Sequence, residues 1–245
     1  MFVAHNRTRT RPRFVGLFAL ALSFLTLGSA AFAQAPAAVG LHQPANLGDL
    51  KQELRRYHDG GDYERDLAAV AGAAQAYVEE RAGQVAKPAL VLDIDETSLS
   101  NWPQIVANDF GYIPGGACSL PKGPCGSHAW ERSARAAAIA PTLQLFNAAR
   151  AKGVSVFFIT GRDETERAAT ARNLRRAGYR GWARLVLRPS GSSTPSAADY
   201  KAPQRARIEA QGYTIIVNMG DQPSDLAGGY AERGFQLPNP FYRIP

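Results

Sequence analysis

The chain has 245 residues, 45% of them hydrophobic, and a formal net charge of +7. This length and hydrophobic content indicate one globular domain with insertions. Four of its basic residues fall within the first 13 positions, at Arg7, Arg9, Arg11 and Arg13. The remainder is therefore too mildly basic to indicate binding to a nucleic acid polymer.

Residues 1–33 have the pattern of a secretory signal peptide. The four arginines precede an apolar run, residues 14–27, and the small residues Ala31 and Ala33 follow it. The run is shorter than the roughly 20 residues that a bilayer span needs, which favours cleavage near Ala33 over a membrane anchor. Because no lipid-accepting cysteine or Arg-Arg pair is present there, we expect a Sec-type signal and a periplasmic or secreted protein, without a stable membrane anchor, that begins near Gln34.

Two helices are predicted before the first strand. Leu47, Leu50, Leu54 and Tyr57 recur at helical spacing until a Gly-Gly pair at 60–61 ends the pattern. A second helical pattern places apolar residues between positions 63 and 78 on one face, which is typical of a helix that packs on a core.

Beyond Lys87, short apolar runs alternate with helical patterns. The strand candidates are residues 89–94, 154–160, 185–187 and 214–219, and the helix candidates are residues 141–152, 163–177 and 200–211. This alternation predicts an α/β fold, a doubly wound parallel sheet covered on both faces. Residues 98–140 fit no crossover, so we expect a small cap inserted after the first strand of a single domain at 34–245.

The two cysteines, Cys118 and Cys125, lie in a Gly/Pro-rich part of this insertion. In an oxidising compartment they are expected to form a disulfide. Closing so short a loop stabilises the fold by about 2.5 kcal/mol in the chain-entropy model. Two thiols alone make a poor metal site.

Polar residues follow the predicted strands at their carboxyl ends, where the ligand crevice of an open parallel sheet lies. Asp93 and Asp95 follow the first strand, Thr160 and Gly161 end the second, Asp221 and Asp225 follow the fourth, and Lys201 begins the preceding helix. Each short motif is weak alone, but their order and shared position at strand ends together predict an active site.

These residue types suit phosphoryl transfer. The carboxylate of Asp93 can attack phosphorus and form an acyl-phosphate, which divides one difficult hydrolysis into two easier steps. Asp95 lies two residues further on, so in an extended chain its side chain projects on the same side and can protonate the leaving oxygen, then activate water.

A hard divalent cation would neutralise the charge that opposes this attack. Carboxylates of Asp93 and Asp221 with the backbone carbonyl of Asp95 are the predicted ligands for Mg²⁺, although oxygen ligands of this kind admit other divalent ions. Thr160 and the amides near Gly161 are expected to bind the phosphoryl group, and Lys201 to balance the charge between that group and the carboxylates.

The chain resembles the haloacid dehalogenase (HAD) superfamily of phosphatases, and within it the subfamily IIIB acid phosphatases, a group similar to bacterial class B and class C enzymes and plant vegetative storage proteins. Residues 91–101, 158–162 and 220–226 are similar to its first, second and fourth motifs, and Lys201 with Arg205 to its third. Residues 237–245 are similar to the tail of the group.

The resemblance implies a Rossmann-like core, phosphorylation of Asp93, acid/base chemistry at Asp95 and magnesium held by Asp93, Asp221 and the Asp95 carbonyl. It also implies that Asp225 orients the metal shell. Pro223 and the cysteine loop depart from the common pattern of the group. These departures bear on substrate preference rather than on the reaction.

The expected function is therefore secreted or periplasmic magnesium-dependent hydrolysis of phosphate monoesters, with small phosphorylated molecules such as nucleotides as substrates. The alternative from another class is a storage or phosphate-binding protein without turnover. A dehalogenase is disfavoured because halide departure does not need the acid Asp95. The oligomeric state stays open, as does a substrate-binding role for Trp102, Phe110, Tyr112, His128 and Trp130.

Overall fold

The structure is a computed structural model that describes residues 43–192 and 196–244. The predicted signal peptide, residues 1–33, lies outside the described residues and stays a prediction. Within the described ranges, none of the helices has the length and apolar character needed to cross a membrane.

The helices and strands follow the chain in an alternating order. The elements are α1 (Leu47–Asp59), α2 (Asp62–Arg81), β1 (Pro88–Leu92), β2 (Leu99–Ser100), α3 (Trp102–Ala107), α4 (Ser127–Ser133), β3 (Ala137–Ala138), α5 (Ala140–Ala151), β4 (Ser155–Asp163), a 3₁₀ turn (Glu164–Glu166), α6 (Arg167–Arg176), β5 (Arg184–Arg188), α7 (Ala197–Glu209), β6 (Thr214–Gly220), α8 (Pro223–Leu226) and β7 (Arg233–Gln236).

Five strands form one parallel sheet in the order β5-β4-β1-β6-β7. The central strand β1 pairs with β4 through Leu92 and Phe158, and with β6 through Leu92 and Met219. The carboxyl ends of β1, β4 and β6 therefore lie side by side, as a ligand crevice in an open sheet requires.

Helices cover the sheet on both faces. On one face Leu90 and Leu92 of β1 belong to the large core that also includes residues of α2, α5 and α6. On the other face Ala89 and Val91 pack in a smaller core with Tyr200 and Ile208 of α7. Successive residues of β1 thus face opposite layers, which confirms the predicted doubly wound α/β fold.

The segment between β1 and α5 makes a small excursion from the sheet. Its ends meet in a two-stranded antiparallel pair, where Leu99 lies opposite Ala138. Between them a disulfide joins Cys118 to Cys125, as predicted. The Asn108 side chain ties this loop to the end of α3, since it donates to the carbonyl of Cys125 and accepts its N–H, both at 2.8 Å. The use of residues 98–140 as a cap stays a prediction.

Several predicted element boundaries differ from the structure by a few residues, and local contacts account for those around α6 and α7. β4 continues to Asp163 through an irregularity in its pairing with β5, so the following helix begins at Arg167 instead of residue 163. α7 begins at Ala197 rather than residue 200 because the hydroxyl of Ser196 accepts the N–H of Asp199 at 3.2 Å and caps the helix.

Sequence reasoning did not find β7. Of its four residues only Phe235 is buried, so the segment lacks the apolar run by which the other strands could be recognised.

Candidate active site

Asp93 is the first residue after β1, and its carboxylate is buried against a lysine. The side chain of Lys201, on α7, donates hydrogen bonds to Oδ1 of Asp93 and, at 2.5 Å, to Oδ1 of Asp225. All three side chains are less than 10% exposed. Burial raises the pKa of Asp93, the Lys201 charge opposes this, and neighbouring carboxylates add to the rise.

Asp221 follows β6 and is held by three donors. Oδ1 accepts the hydroxyl of Thr97 at 3.0 Å, and Oδ2 accepts the amides of Gln222 at 2.5 Å and Asn239 at 2.7 Å. Burial and the charge of Asp225 raise the pKa of Asp221 to about 6, despite the two amide donors.

Asp225 lies on α8, packed under the end of β6. Its Oδ2 accepts the backbone N–H of Gln222 at 2.9 Å, which closes a capping box at the start of the short helix. A Cβ at Gly220 would lie 2.3 Å from both Cβ and Oδ2 of Asp225. Glycine at position 220 is therefore what lets this carboxylate pack against the strand.

Asp93, Asp221 and Asp225 form what we call the carboxylate cluster. Each offers one oxygen, and these oxygens lie within 4.8 Å of one another. Three buried carboxylates face the single ammonium of Lys201, so the fully ionised group has an excess of two negative charges. An all-oxygen donor set with this charge fits a hard divalent cation. The structure thus groups two of the predicted metal ligands with Asp225.

Asp95 points to a different partner. The guanidinium of Arg162 donates to its carboxylate from Nε, at 3.1 Å to both oxygens, and from Nη2 at 2.5 Å to Oδ1. The amide of Asn101 adds a bond to Oδ1 at 2.8 Å. Burial acts to raise the pKa of Asp95, but the charge and hydrogen bonds of Arg162, with Asn101, lower it overall.

The sequence allows either a phosphate contact of Arg162 or a pairing with its acidic neighbours Asp163 and Glu166. In the structure its close ion pair is with Asp95 instead. The irregularity of β4 between Thr160 and Asp163 lengthens the strand at this point. Arg162 therefore remains at the sheet edge, where it reaches Asp95 beyond the neighbouring strand.

Thr160 and Gly161 lie at the same edge but contact other groups. The Thr160 side chain is fully buried and accepts the backbone N–H of Arg162 at 3.1 Å. Gly161 is exposed, and a Cβ there would meet no atom within 4 Å. Among the described residues, the structure shows no hydrogen bond from Thr160 or Gly161 to the carboxylate cluster, so their phosphate-binding roles stay predictions.

Glu96 and Asn101 are site residues that sequence reasoning missed. Glu96 is 2% exposed, with φ of 51°, and accepts the backbone N–H of Asn101 at 2.6 Å and the hydroxyl of Tyr242 at 2.6 Å. Burial, followed by the charge of Asp95, raises the pKa of Glu96 to about 8. Asn101 also accepts the indole N–H of Trp130 at 2.7 Å, which joins the insertion to the active-site edge.

The aromatic residues of the insertion are mostly engaged in packing. Trp130 is 3% exposed, and Trp102 stacks on the ring of His58 at 3.7 Å between centroids. Phe110 lies edge-on to Trp102. By contrast Tyr112 is 78% exposed.

A second group of titratable side chains lies beside Arg162, and we call it the His128 cluster (His128, Glu131 and Glu166). Nδ1 of His128 lies 2.9 Å from Oε1 of Glu166. Burial and a hydrogen bond with Glu166 raise the pKa of Glu131 to about 9. One ligand atom from each of the three residues lies within 4.8 Å of the others.

A comparison with models of protein families identifies the family of the chain. Residues 26–245 match the model described as HAD superfamily, subfamily IIIB (acid phosphatase). The chain belongs to this family. It is thereby a phosphoric monoester hydrolase of the HAD type, and the resemblance found in its motifs is confirmed.

Relatives within this acid phosphatase family include plant proteins. The stem 28 kDa glycoprotein of Glycine max is 35% identical over 197 residues, which cover 79% of this chain and 74% of the relative. Acid phosphatase 1 of Solanum lycopersicum is 32% identical over 193 residues, covering 78% and 73%. Vegetative storage protein 1 of Arabidopsis thaliana is 30% identical over 156 residues, covering 63% and 55%.

Among solved structures, the class C acid phosphatase from Bacillus anthracis has a similar fold. The TM-score is 0.62 at 21% sequence identity, and the match covers 80% of this chain and 86% of the other. At this identity the likeness supports the HAD-type fold alone.

Proposed function

We propose that this family member is an exported, magnesium-dependent phosphatase that hydrolyses phosphate monoesters of small molecules through an aspartyl-phosphate on Asp93. The observation that carries the proposal is the carboxylate cluster with Lys201, buried where β1 and β6 end. A buried nucleophile, an oxygen donor set and a counter-charge at one strand edge are what attack on an anionic phosphate requires.

Asp93 and Asp221, with the backbone carbonyl of Asp95, are the groups that would hold the cation, and the neighbouring carboxylate of Asp225 would orient them. When bound, Mg²⁺ supplies positive charge that lets an anionic carboxylate approach an anionic phosphate. Asp221 is oriented by Thr97 and Asn239, and Asp225 by Lys201, so the protein presents these oxygens without a large rearrangement.

In the first step Asp93 attacks phosphorus. Lys201 donates to Oδ1 and fixes the carboxylate, while an oxygen of Asp93 forms the new bond to phosphorus. The ester P–O bond breaks, and Asp95 gives its proton to the leaving alkoxide, so that the alcohol departs neutral.

In the second step the carboxylate of Asp95 takes a proton from water. The resulting hydroxide attacks phosphorus, the bond to Asp93 breaks, and inorganic phosphate leaves. Arg162 holds Asp95 in the ionised form that this step needs. The acid role in the first step therefore requires Arg162 to release Asp95, and a phosphate oxygen is a suitable new partner for its guanidinium.

Export is supported by the signal-like residues 1–33 and by the Cys118–Cys125 bond, which is typical of oxidising compartments. A storage role is the second candidate, because relatives carry storage-protein names. The presence of Asp93 with its lysine contact favours turnover, since neither storage nor phosphate binding needs a nucleophile beside an acid/base residue.

The test measures phosphate release from p-nitrophenyl phosphate by the purified chain, with Mg²⁺ and with EDTA, followed by a panel of nucleotides. We expect release that depends on Mg²⁺ and is lost in Asp93→Asn, together with a phosphoryl group on Asp93 after acid quenching, detected by mass spectrometry. Asp109→Asn, at an exposed carboxylate, is the matched control. A folded, metal-loaded protein that is inactive on every ester would contradict the proposal and leave storage as the better interpretation.

A further inference from the structure

The His128 cluster has no part in the chemistry proposed above. His128 and Glu131 lie three residues apart on α4, so both side chains project from one side of that helix. Glu166 closes the group from the 3₁₀ turn after β4. Two elements distant in sequence therefore bring one imidazole and two carboxyl groups together.

The surroundings of the Glu166 carboxylate indicate that the His128 cluster binds a ligand. Its side chain is 2% exposed, and its Oε1 is partnered by Nδ1 of His128 at 2.9 Å. Its Oε2 is buried and, when Glu131 is ionised, has no hydrogen-bond donor among the residues that the structure describes. A buried carboxylate oxygen without a donor is strongly unfavourable unless a cation or a proton faces it.

The charges around the His128 cluster have a negative excess that a cation would balance. Arg162 is engaged by Asp95 through three hydrogen bonds and its charge also acts on Glu131 and Glu166, so one guanidinium faces three carboxyl groups. Arg132 is 3.8 Å from Oε1 of Glu166, but its side chain is 60% exposed and can turn into solvent. The carboxyl groups of Glu131 and Glu166 then face the site together with the imidazole of His128.

We propose that His128, Glu131 and Glu166 form a second divalent-cation site, suited to Zn²⁺ and separate from the carboxylate cluster. Zinc binds both histidine nitrogen and carboxylate oxygen, and open zinc sites have three protein ligands with water in the fourth position. The nitrogen and oxygen ligands of a tetrahedral zinc ion lie about 3.3 Å apart, so separations of up to 4.8 Å must shorten through movement of the three side chains when the ion binds. The His128 side chain is 46% exposed, which gives the ion a path from solvent.

The mixed donor set distinguishes this site from the carboxylate cluster. Imidazole nitrogen suits zinc and related transition metals, whereas a set made only of carboxylate oxygens suits magnesium. With Mg²⁺ in large excess at the carboxylate cluster, added Zn²⁺ is therefore expected to bind at the His128 cluster.

The experiment dialyses the full purified chain against micromolar Zn²⁺ in millimolar Mg²⁺ and measures bound zinc by mass spectrometry, with affinity from calorimetric titration. We expect one zinc per chain, retained in Asp93→Asn and bound at least tenfold more weakly by His128→Ala and by the isosteric Glu131→Gln. Glu53→Gln, the same substitution at an exposed position of α1 outside the cluster, is the matched control and should bind as the wild type.

Circular dichroism and thermal unfolding show whether each variant is folded, so that lost binding is not mistaken for lost structure. Absence of bound zinc in the folded wild type would overturn the proposal, as would unchanged affinity in both cluster variants. The Glu131 and Glu166 carboxyls would then relieve their repulsion by sharing a proton. None of these outcomes depends on phosphatase activity, so the result stands apart from the proposed function.

Discussion

Arg162 binds the carboxylate of Asp95 through two guanidinium nitrogens, which form a two-pronged fork of hydrogen-bond donors. Nε lies 3.1 Å from both carboxylate oxygens, and Nη2 lies 2.5 Å from Oδ1. The arginine side chain is 2% exposed and the aspartate side chain is 29% exposed. The buried Arg162 side chain thus holds Asp95, the candidate acid/base residue, at the partly exposed edge of the site. Its two-point geometry cannot be reproduced by a lysine.

We expect Arg162→Lys to lower kcat by about 10²-fold, because the water-activating second step needs Asp95 ionised and held by the two-point contact. Steady-state hydrolysis of p-nitrophenyl phosphate measures the effect. Arg167→Lys is the control, since Arg167 forms a similar fork with Glu164 on the exposed surface and should stay near wild type. Wild-type kcat in Arg162→Lys would show that Asp95 does not need the fork.

Removal of the buried lysine should destabilise the fold. Lys201→Met leaves Asp93 and Asp225 facing each other without a counter-charge, and we expect the free energy of unfolding to fall by about 3–5 kcal/mol. Urea unfolding in EDTA measures this. Lys51→Met breaks an ion pair with the 67% exposed Asp109, and should destabilise much less because solvent screens an exposed ion pair. Equal losses in the two variants would argue against a buried charge network.

A single methyl group at position 220 should disturb the carboxylate cluster. In Gly220→Ala the new Cβ collides with Asp225, so we expect a loss of about 1–3 kcal/mol in stability together with weaker divalent-cation binding. Gly72→Ala is the control, because its Cβ meets no atom within 4 Å inside α2 and should stabilise by up to about 1 kcal/mol. Calorimetry measures the cation affinity of both variants. An affinity in Gly220→Ala equal to that of the wild type would show that the cation binds outside the carboxylate cluster.

Asp163 should contribute a pH-dependent part of the stability. Hydrogen bonds from Ser190 and Thr165 lower the pKa of Asp163 to about 2, below its value in the unfolded chain. A group with a depressed folded pKa stabilises above its unfolded pKa, near 4, and this contribution fades as pH falls through about 2. The difference in urea midpoint between wild type and Asp163→Asn should therefore shrink from about pH 6 to about pH 3.

Ser190→Ala removes the first of these donors and should reproduce part of the Asp163→Asn effect at neutral pH. A difference in midpoint that is constant across the whole range would mean that the charge of Asp163 plays no part. Both variants keep the backbone geometry, because an asparagine at position 163 can still accept the N–H of Thr165.

Four strands of the sheet could be predicted because each has an apolar run long enough to show against the helical patterns between them. Asp93 and Asp221 could be placed at strand ends for the same reason, whereas Thr160 lies just before the irregularity through which β4 continues to Asp163. β7 could not, because its pairing with β6 depends on backbone hydrogen bonds more than on apolar side chains.

The contacts around Glu96 and Asp221 were beyond sequence reasoning for another reason. Tyr242 reaches Glu96 across 146 positions, and Asn239 reaches Asp221 only because the chain turns back after β7. Nothing in the local pattern of either segment indicates its partner. The ion pair of Arg162 with Asp95 is likewise a result of strand order, which places β4 beside β1.

The segment after β7, residues 239–242, supplies the last contacts that complete the active site. Asn239 and Tyr242 complete the hydrogen bonding of Asp221 and Glu96, and Phe241 packs among the rings of Trp102 and Tyr63. A nascent chain that already contains every strand therefore still lacks these contacts. Removal of residues 239–242 should therefore abolish these contacts and lower activity, although every strand is retained.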